Sequence, residues 1–287
     1  LTYDKLTWGA GTKWEGEYIG KMDSNYVQVA HIDLSAYGEN YDDGKGWKPI
    51  GCPWDSKNKY DPSLGFAGEY NGANYHISNL FFNRSEKEED YLGLFGLVND
   101  ATLNNIVLHD VNVTGKSVSG TGWVYVGGLA GISSSSQGTT KINNVYVSGS
   151  VDGQTAGGLL GMSSAVIEIK NSHVNATISG SETIGGLIGG GYASSGSTIN
   201  NSSTKGAVIS SGGSEGKIGG LVGQMNNMTI KDSHTTMSVT GMGSVGGLAG
   251  YAMNSPIDNS YARNNVVNLD ASGKHTGGLV GQAYSNS

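Results

Sequence analysis

An all-β fold is predicted from this sequence: a parallel β-helix solenoid formed by one chain, with a capping section at its N-terminal end. Three observations predict it, namely a recurring glycine-rich motif, an aliphatic-x-Asn signal after each copy but the last, and segments in which apolar and polar residues alternate. Gly accounts for 48 of the 287 residues. Periodic glycine of this kind is typical of repeat architectures, whereas aperiodic glycine is typical of disorder.

The glycine-rich motif is expected to form a tight corner of each coil. Its copies are LGLFG (92–96), GGLAG (127–131), GGLLG (157–161), GGLIG (185–189), GGLVG (219–223), GGLAG (246–250) and GGLVG (277–281). Gly supplies positive φ and lets stacked backbones approach closely, and the Leu is expected to point inward in an aliphatic column. The residues given this structural role are Gly128, Leu129, Gly131, Gly158, Leu159, Gly186, Leu187, Gly220, Leu221, Gly247, Leu248, Gly278 and Leu279.

The aliphatic-x-Asn signal predicts a second corner. Its copies are LNN (103–105), INN (142–144), IKN (169–171), INN (199–201), IKD (230–232) and IDN (257–259). Side-chain amides at equivalent positions of stacked coils can hydrogen-bond in a ladder and satisfy turn backbone groups. This structural role is preferred to ligand contact for Asn144, Asn171, Asn201, Asp232 and Asn259.

The alternating segments predict the strands of each coil. They include VYVSGSV (145–151), HVNATIS (173–179) and HTTMSVT (234–240), and alternation with β-branched residues is typical of strands. About 30 extended residues span roughly 100 Å, which is enough for three strands and their turns. Parallel connections within one sheet are overwhelmingly right-handed, so a right-handed coil is expected.

Two sections are predicted along the chain. Residues 91–287 hold the repeats, and residues 1–90 hold four of the five Trp and form the cap and first coils. The sequence stops before the next Ile-x-Asn is due, so we expect the C-terminal end of the solenoid to be open and the chain to be a piece of a longer protein whose other domains are partners. The signal peptide and anchor are expected outside this piece.

Composition excludes several classes of partner. The net charge is −7 and only two Arg occur, whereas nucleic-acid binding needs a clustered basic surface. No apolar run approaches the ~18 residues that a membrane span requires, so membrane insertion is not expected.

The combination of motifs resembles the GLUG motif of bacterial surface proteins. GGL[VAIL]G followed by Ile-x-Asn-Ser recurs in order, and the lead-in segments HIDLSAY (31–37), WKPIG (47–51) and FAGEYNGANYHISNL (66–80) also resemble the region before such arrays. Those proteins include adhesin-like proteins and non-catalytic regions of IgA-cleaving metallopeptidases. The resemblance implies a β-solenoid at the cell surface and implies no reaction.

The strongest enzyme alternative is a polysaccharide lyase or glycoside hydrolase on a β-helix. Glycoside hydrolysis needs two carboxylates about 5–10 Å apart. By repeat position, Glu168 is matched by Lys141 and Thr198, and Glu182 by Gln154. His173 and His234 share a repeat position two coils apart, roughly 10 Å by strand spacing, which is too far for shared zinc coordination. We therefore expect no enzyme activity.

Two candidate ligand sites lie in the capping section. Flat aromatic rings beside acids suit sugar rings, and the candidate residues are Tyr37, Tyr41, Trp47, Trp54 and Tyr60. A structural role, in which these aromatic residues plug the solenoid end, is preferred to ligand binding. The turn DDGKG (42–46) places Asp42 and Asp43 beside glycine, which suits Ca²⁺ as the one possible cofactor, but the turn lacks the full spacing of a calcium loop and a solvated turn is preferred.

The function expected from the sequence is a non-enzymatic, extracellular module of a bacterial adhesin-like surface protein. It would bind host proteins or glycans along its flank or hold another domain away from the cell. The alternatives are the carbohydrate-active enzyme described above and a pure spacer without a ligand.

Overall fold

The computed structural model describes residues 22–53, 60–84, 90–115, 123–135, 138–271 and 275–285. It is built of strands, with two short 3₁₀ turns at Ser35–Tyr37 and Pro62–Leu64. The strands β1–β27 are, in order, Tyr26–Val27, Ile32–Asp33, Glu69–Asn71, His76–Ser78, Phe81–Arg84, Tyr91–Leu92, Phe95–Val98, Thr102–Gly115, Tyr125–Gly127, Ala130–Ser133, Thr139–Gly157, Leu160–Ser163, Val166–Lys170, His173–Gly185, Ile188–Asn200, Ser203–Ser210, Lys217–Gly219, Val222–Lys231, His234–Thr235, Ser238–Gly241, Ser244–Gly246, Ala249–Met253, Ile257–Asp258, Tyr261–Ala262, Val266–Asn268, Thr276–Gly277 and Val280–Tyr284.

The ladders between these strands are parallel. Each strand pairs with its equivalent about one repeat earlier and one repeat later, as β14 does with β11 and β16. The predicted all-β parallel solenoid is confirmed. The right-handed sense of the coil stays a prediction.

Inward-pointing aliphatic side chains form the core in register. In one column, Ile142 lies opposite Ile169, which lies opposite Ile199 in the next coil. A second column holds the Leu of the glycine-rich motif, and five of its members have no exposed surface: Leu129, Leu159, Leu187, Leu221 and Leu248. Leu279, in the last described coil, is 39 % exposed because no coil covers it on the far side.

Stacking begins well inside the capping section. β1 and β2 pair with β3 and β4, which pair in turn with β8. Isolated parallel bridges join Ile50 to Phe95 and Phe66 to Val98. The core is therefore continuous across residue 90, and residues 26–53 already contribute a coil.

The glycine-rich corner depends on close approach and not on positive φ. No motif Gly adopts a φ in the left-handed region, so that part of the expectation is wrong. A Cβ at Gly186 would lie 2.1 Å from the carbonyl oxygen of Gly220, and one at Gly220 would lie 2.2 Å from that of Gly247. Since real Cβ atoms do not approach this closely, any side chain here would push neighbouring coils apart.

Positive φ occurs instead at the Asn corner. Asn105, Asn144, Asn171, Asn201, Asp232 and Asn259 have φ of 53°, 54°, 50°, 46°, 49° and 44°. Asn and Asp tolerate this left-handed conformation better than other residues with side chains. The corner thus selects for a residue type that the sequence places there in every coil.

Side-chain hydrogen bonds join the Asn corner from coil to coil. The amide of Asn144 donates to Asn105 Oδ1 at 2.8 Å, and that of Asn201 donates to Asn171 Oδ1 at 2.7 Å. The amide of Asn259 donates to Asp232. Between these pairs the acceptor is not the corner residue of the preceding coil. Asn171 donates at 2.9 Å to Asn143, the residue before the corner residue Asn144.

A serine ladder beside the Asn corner was not predicted. The backbone N–H of Ser172 donates to Ser202 Oγ at 3.2 Å, that of Ser202 to Ser233 Oγ at 3.1 Å, and that of Ser233 to Ser260 Oγ at 3.0 Å. Each of these hydroxyls donates in turn to the carbonyl oxygen two residues earlier in the chain, at 2.7–2.8 Å. The Ser of Ile-x-Asn-Ser therefore satisfies buried backbone groups between coils.

Candidate functional site

The structure brings together three of the predicted cap aromatics. The rings of Tyr37 and Tyr41 are 5.0 Å apart edge to face, and those of Tyr37 and Trp47 are 5.6 Å apart in the same arrangement. Trp47 has no exposed surface. This corrects the expectation that Trp47 belongs to a sugar-stacking platform, because a fully buried indole presents no face to a ligand.

The other two candidate aromatics are Trp54 and Tyr60. Trp54 lies outside the described residues. Tyr60 contacts Tyr91 instead, with ring centroids 6.4 Å apart. A ligand-binding role for Tyr37, Tyr41 and Tyr60 stays a prediction, and Tyr60 belongs with a different row of rings.

The DDGKG turn is held by a buried arginine. Asp42 and Asp43 have φ of 52° and 53°. Arg84 donates from its guanidinium to Asp42 Oδ2 at 2.8 Å, to the Gly46 carbonyl at 3.0 Å and to the Trp47 carbonyl at 3.1 Å. This guanidinium already neutralises the carboxylate of Asp42, so a calcium ion would have to compete with it. Calcium binding at this turn stays a prediction.

One exposed flank carries a column of His and Tyr side chains. By register, His76 follows His31, and in later coils Tyr146 lies opposite His173, which is followed by Ser203, His234 and Tyr261. Ser203 thus lies between His173 and His234, and it hydrogen-bonds His173 Nδ1 at 2.8 Å. Among the residues that the structure describes, no three His, Cys, Asp or Glu are arranged to hold a metal ion.

The histidines of this flank influence each other. The rings of His31, His76 and His109 lie 4.7 Å and 4.6 Å apart in succession. Partial desolvation, and then the positive charges of His109 and His31, lower the pKa of His76. Burial, and then the charge of His234, lower the pKa of His173. Protonation of His76 and of His173 is therefore disfavoured in the folded protein.

A second flank carries a row of tyrosines beside the glycine-rich corner. We call it the tyrosine row, and its members are Tyr60, Tyr91, Tyr125, Tyr192, Tyr251 and Tyr284. The rings of Tyr91 and Tyr125 stack with centroids 5.8 Å apart and planes 5° apart. At the other end, the rings of Tyr251 and Tyr284 lie 5.5 Å apart. Tyr192 lies in a coil between the two pairs, because its strand β15 pairs with β12 on one side and, through β18 and β22, leads to β27 on the other.

The tyrosine row rests on a small apolar cluster separate from the main core. Tyr91 and Tyr125 pack against Leu97, Ile132 and Met162. These three aliphatic residues occupy one register column on the strands that follow the glycine-rich corner. The rings of Tyr91 and Tyr125, at one end of the row, are thus fixed from beneath by outward-facing side chains of successive coils.

Polar groups border the tyrosine row. Gln154 Nε2 donates to Glu182 Oε1 at 2.7 Å, and the hydroxyl of Tyr192 donates to Gln224 Oε1 at 2.6 Å. Burial raises the pKa of Tyr125 and of Tyr192, and the negative charge of Glu182 raises both further. The row therefore combines neutral aromatic rings with amides and a carboxylate, which can stack on ligand rings and hydrogen-bond to hydroxyl groups.

The repeat fold and its two motif corners define a class of protein, the β-solenoids. Residues 242–267 match the family model described as the GLUG motif, and they contain both GGLAG and the following Ile-x-Asn. The resemblance to GLUG-motif β-solenoid proteins is confirmed.

Relatives with known names share segments of this chain. It is 34% identical over 139 residues to halomucin of Haloquadratum walsbyi, covering 48% of this chain and 1% of halomucin. It is 34% identical over 115 residues to a protein named Gly-rich membrane protein in Evansella cellulosilytica, covering 40% of this chain and 11% of that protein. It is 30% identical over 177 residues to the immunoglobulin A1 protease of Streptococcus sanguinis, covering 60% of this chain and 7% of that protease. No solved structure matches the chain.

The described part of the chain contains no helix with the length and apolar character that a bilayer span requires.

Proposed function

We propose that this chain is a non-enzymatic, extracellular module of a bacterial surface protein, which displays side chains to host or glycan ligands along its solenoid. The observation that carries the proposal is the unbroken parallel register, for example from Tyr146 through His173, Ser203 and His234 to Tyr261. Since every coil repeats the same outward positions, the fold forms a rigid linear array of side chains about 4.8 Å apart.

The comparisons support a module of this kind. One relative is named as a membrane protein and another as an immunoglobulin A1 protease, and the matched segment is 11% and 7% of their lengths. A segment that recurs as a small part of differently named proteins fits an accessory role beside other domains.

The acidic side chains support a non-enzymatic role. Glu168 lies opposite Lys141 and Thr198 in the adjacent coils, and its carboxylate is 2.9 Å from the ammonium group of Lys170. Glu182 is hydrogen-bonded to Gln154 of the preceding coil. Glycoside hydrolysis needs a second carboxylate at a suitable distance, and these positions supply Lys, Thr and Gln instead.

The test is binding of the purified 287-residue chain to an array of glycans and host glycoproteins. We expect saturable binding to at least one glycan class or glycoprotein, with no release of new reducing ends from the bound glycans. Failure to bind any ligand on the array would overturn the proposal in favour of a pure spacer. Release of reducing ends or of unsaturated sugars would overturn it in favour of the carbohydrate-active enzyme.

A further inference from the structure

We propose that the tyrosine row is a binding surface for a linear, uncharged polysaccharide. This inference rests on the proposed function and assigns it a location and a ligand class. The row lies on the flank beside the glycine-rich corner, away from the buried cap aromatics.

The exposure of the rings makes them accessible to a ligand. Tyr192 is 44 % exposed and Tyr284 is 52 % exposed. The hydroxyl of Tyr192 is held by its hydrogen bond to Gln224 Oε1. An exposed ring that is held in this way loses little side-chain freedom on binding, which favours a rigid contact surface. The apolar C–H faces of a pyranose ring stack on surfaces of this type.

The arrangement of the rings favours a polymer. Tyr91, Tyr125, Tyr192, Tyr251 and Tyr284 lie in this order along the direction in which the coils stack, with one coil between Tyr125 and Tyr192 and one between Tyr192 and Tyr251. A single sugar can cover one or two rings, whereas a linear chain can contact all of them. Multiple weak contacts of one chain then add to a useful affinity.

The polar groups favour carbohydrate over an apolar peptide or a lipid. The rings are bordered by Gln154, Glu182 and Gln224. Their amide and carboxylate groups can hydrogen-bond to the hydroxyl groups of a sugar. An apolar ligand would displace the water that is hydrogen-bonded to these groups and would offer no hydrogen bonds in its place, which costs free energy. A carbohydrate replaces those hydrogen bonds through its hydroxyls.

The charges favour an uncharged polysaccharide. The chain has a net charge of −7, and the negative charges of Asp90 and Glu182 act on Tyr125. A polyanionic glycan would be repelled by these carboxylates, particularly at low ionic strength. The occupant that fits both the rings and the charges is therefore neutral.

The test is affinity electrophoresis of the 287-residue chain in native gels that contain one soluble polysaccharide each. The neutral probes are mixed-linkage β-glucan, hydroxyethylcellulose, galactomannan and dextran, and the anionic probes are hyaluronan and alginate. We expect at least one neutral probe to retard the chain and neither anionic probe to do so. Retardation by the anionic probes alone, or by no probe, would overturn the inference.

Variants locate the binding surface. Tyr192→Ala should weaken retardation about tenfold through the loss of a stacking ring, while Tyr192→Phe should remain within about threefold of the parent chain. The matched control is Tyr261→Ala, because Tyr261 is 54 % exposed and stacks on His234 on the other flank. Equal loss in Tyr192→Ala and Tyr261→Ala would overturn the assignment, and unchanged circular dichroism verifies that each variant is folded.

The two proposals fail in different ways. If the parent chain binds a host glycoprotein on the array but no neutral polysaccharide, the tyrosine-row inference fails and the proposed function stands. If array binding survives Tyr192→Ala at full strength, the ligand surface lies elsewhere. If the parent chain binds nothing in either experiment, both proposals fail.

Discussion

At the scale of single residues, the Asn corner shows how one side chain meets two requirements. Asn201 has a φ of 46°, and its amide donates to Asn171 Oδ1 at 2.7 Å. Gly would satisfy the first requirement and Ser the second, but Asn satisfies both. This explains why the corner retains Asn or Asp in all six copies, while the spacer residue before it varies.

Replacing Asn201 separates the two requirements. Asn201→Ala should lower the free energy of unfolding by about 2 kcal/mol, since Ala is strained in the left-handed region and makes no side-chain hydrogen bond. Asn201→Gly should lower it by about 1 kcal/mol, because only the hydrogen bond and some chain entropy are lost. Urea denaturation followed by circular dichroism measures both. Equal losses in the two variants would show that backbone strain does not determine the choice of residue.

At the scale of the structural element, the glycine-rich corner is a packing device. In the five motifs from GGLAG (127–131) to GGLAG (246–250), the second Gly lies beneath the carbonyl of its counterpart in the next coil, so a single methyl group would intrude on backbone. The motif Leu beside it fills the core. Adjacent residues thus fix both the close approach at the corner and the packing of the core. The motif therefore cannot shift along the strand without disrupting both.

An interior copy of the motif and the last copy provide a matched pair of variants. A Cβ at Gly220 would lie 2.2 Å from the carbonyl oxygen of Gly247, whereas a Cβ at Gly278 would meet no atom within 4 Å. We expect Gly220→Ala to destabilise the chain by about 3 kcal/mol through overpacking and Gly278→Ala to change it by less than about 1 kcal/mol. Thermal denaturation of both variants checks this. A similar melting temperature for the two would refute the close-approach explanation.

Inward positions could be predicted from the sequence, and outward ones could not. The core Leu and the Asn corner repeat because packing and backbone conformation constrain them in every coil. The members of the tyrosine row, such as Tyr125, Tyr192 and Tyr251, occupy no common motif position and lie in different register columns, so that only the folded corner brings them to one flank. The burial of Trp47 agrees with the plug at the solenoid end, but composition shows only that aromatic residues concentrate in the cap and not which of them are buried. The serine ladder had a signal, the Ser after the corner residue in the last four copies, whose backbone partner in the next coil becomes visible only once the coils are stacked.

At the scale of the whole molecule, the histidine flank makes stability depend on pH. The folded-state pKa of His173 is lowered, first by burial and then by the charge of His234. The pKa of His76 is lowered too, by partial desolvation and by its two neighbouring histidines. A lowered pKa of a base means that the unfolded chain binds protons first as the pH falls through about 6.5.

The free energy of unfolding should therefore fall between pH 7.5 and pH 5.5, a window above the range in which carboxylates titrate. Melting temperatures measured across this window check the direction. In His173→Gln the decrease should be smaller than in the parent chain, because one of the disfavoured protonation sites is absent. A melting temperature that rises on acidification, or an unchanged slope in His173→Gln, would contradict this account.

The parallel register also determines how the molecule would bear a load. The strand ladders of the described residues join each coil to the coil before it and the coil after it, as β14 is joined to β11 and β16. Tension along the axis would therefore peel coils from an end one at a time and would not rupture the whole molecule at once. Each peeled coil would release about 30 residues, or roughly 100 Å of slack. A solenoid of this design extends stepwise under force and can limit the tension that reaches whatever it is tethered to.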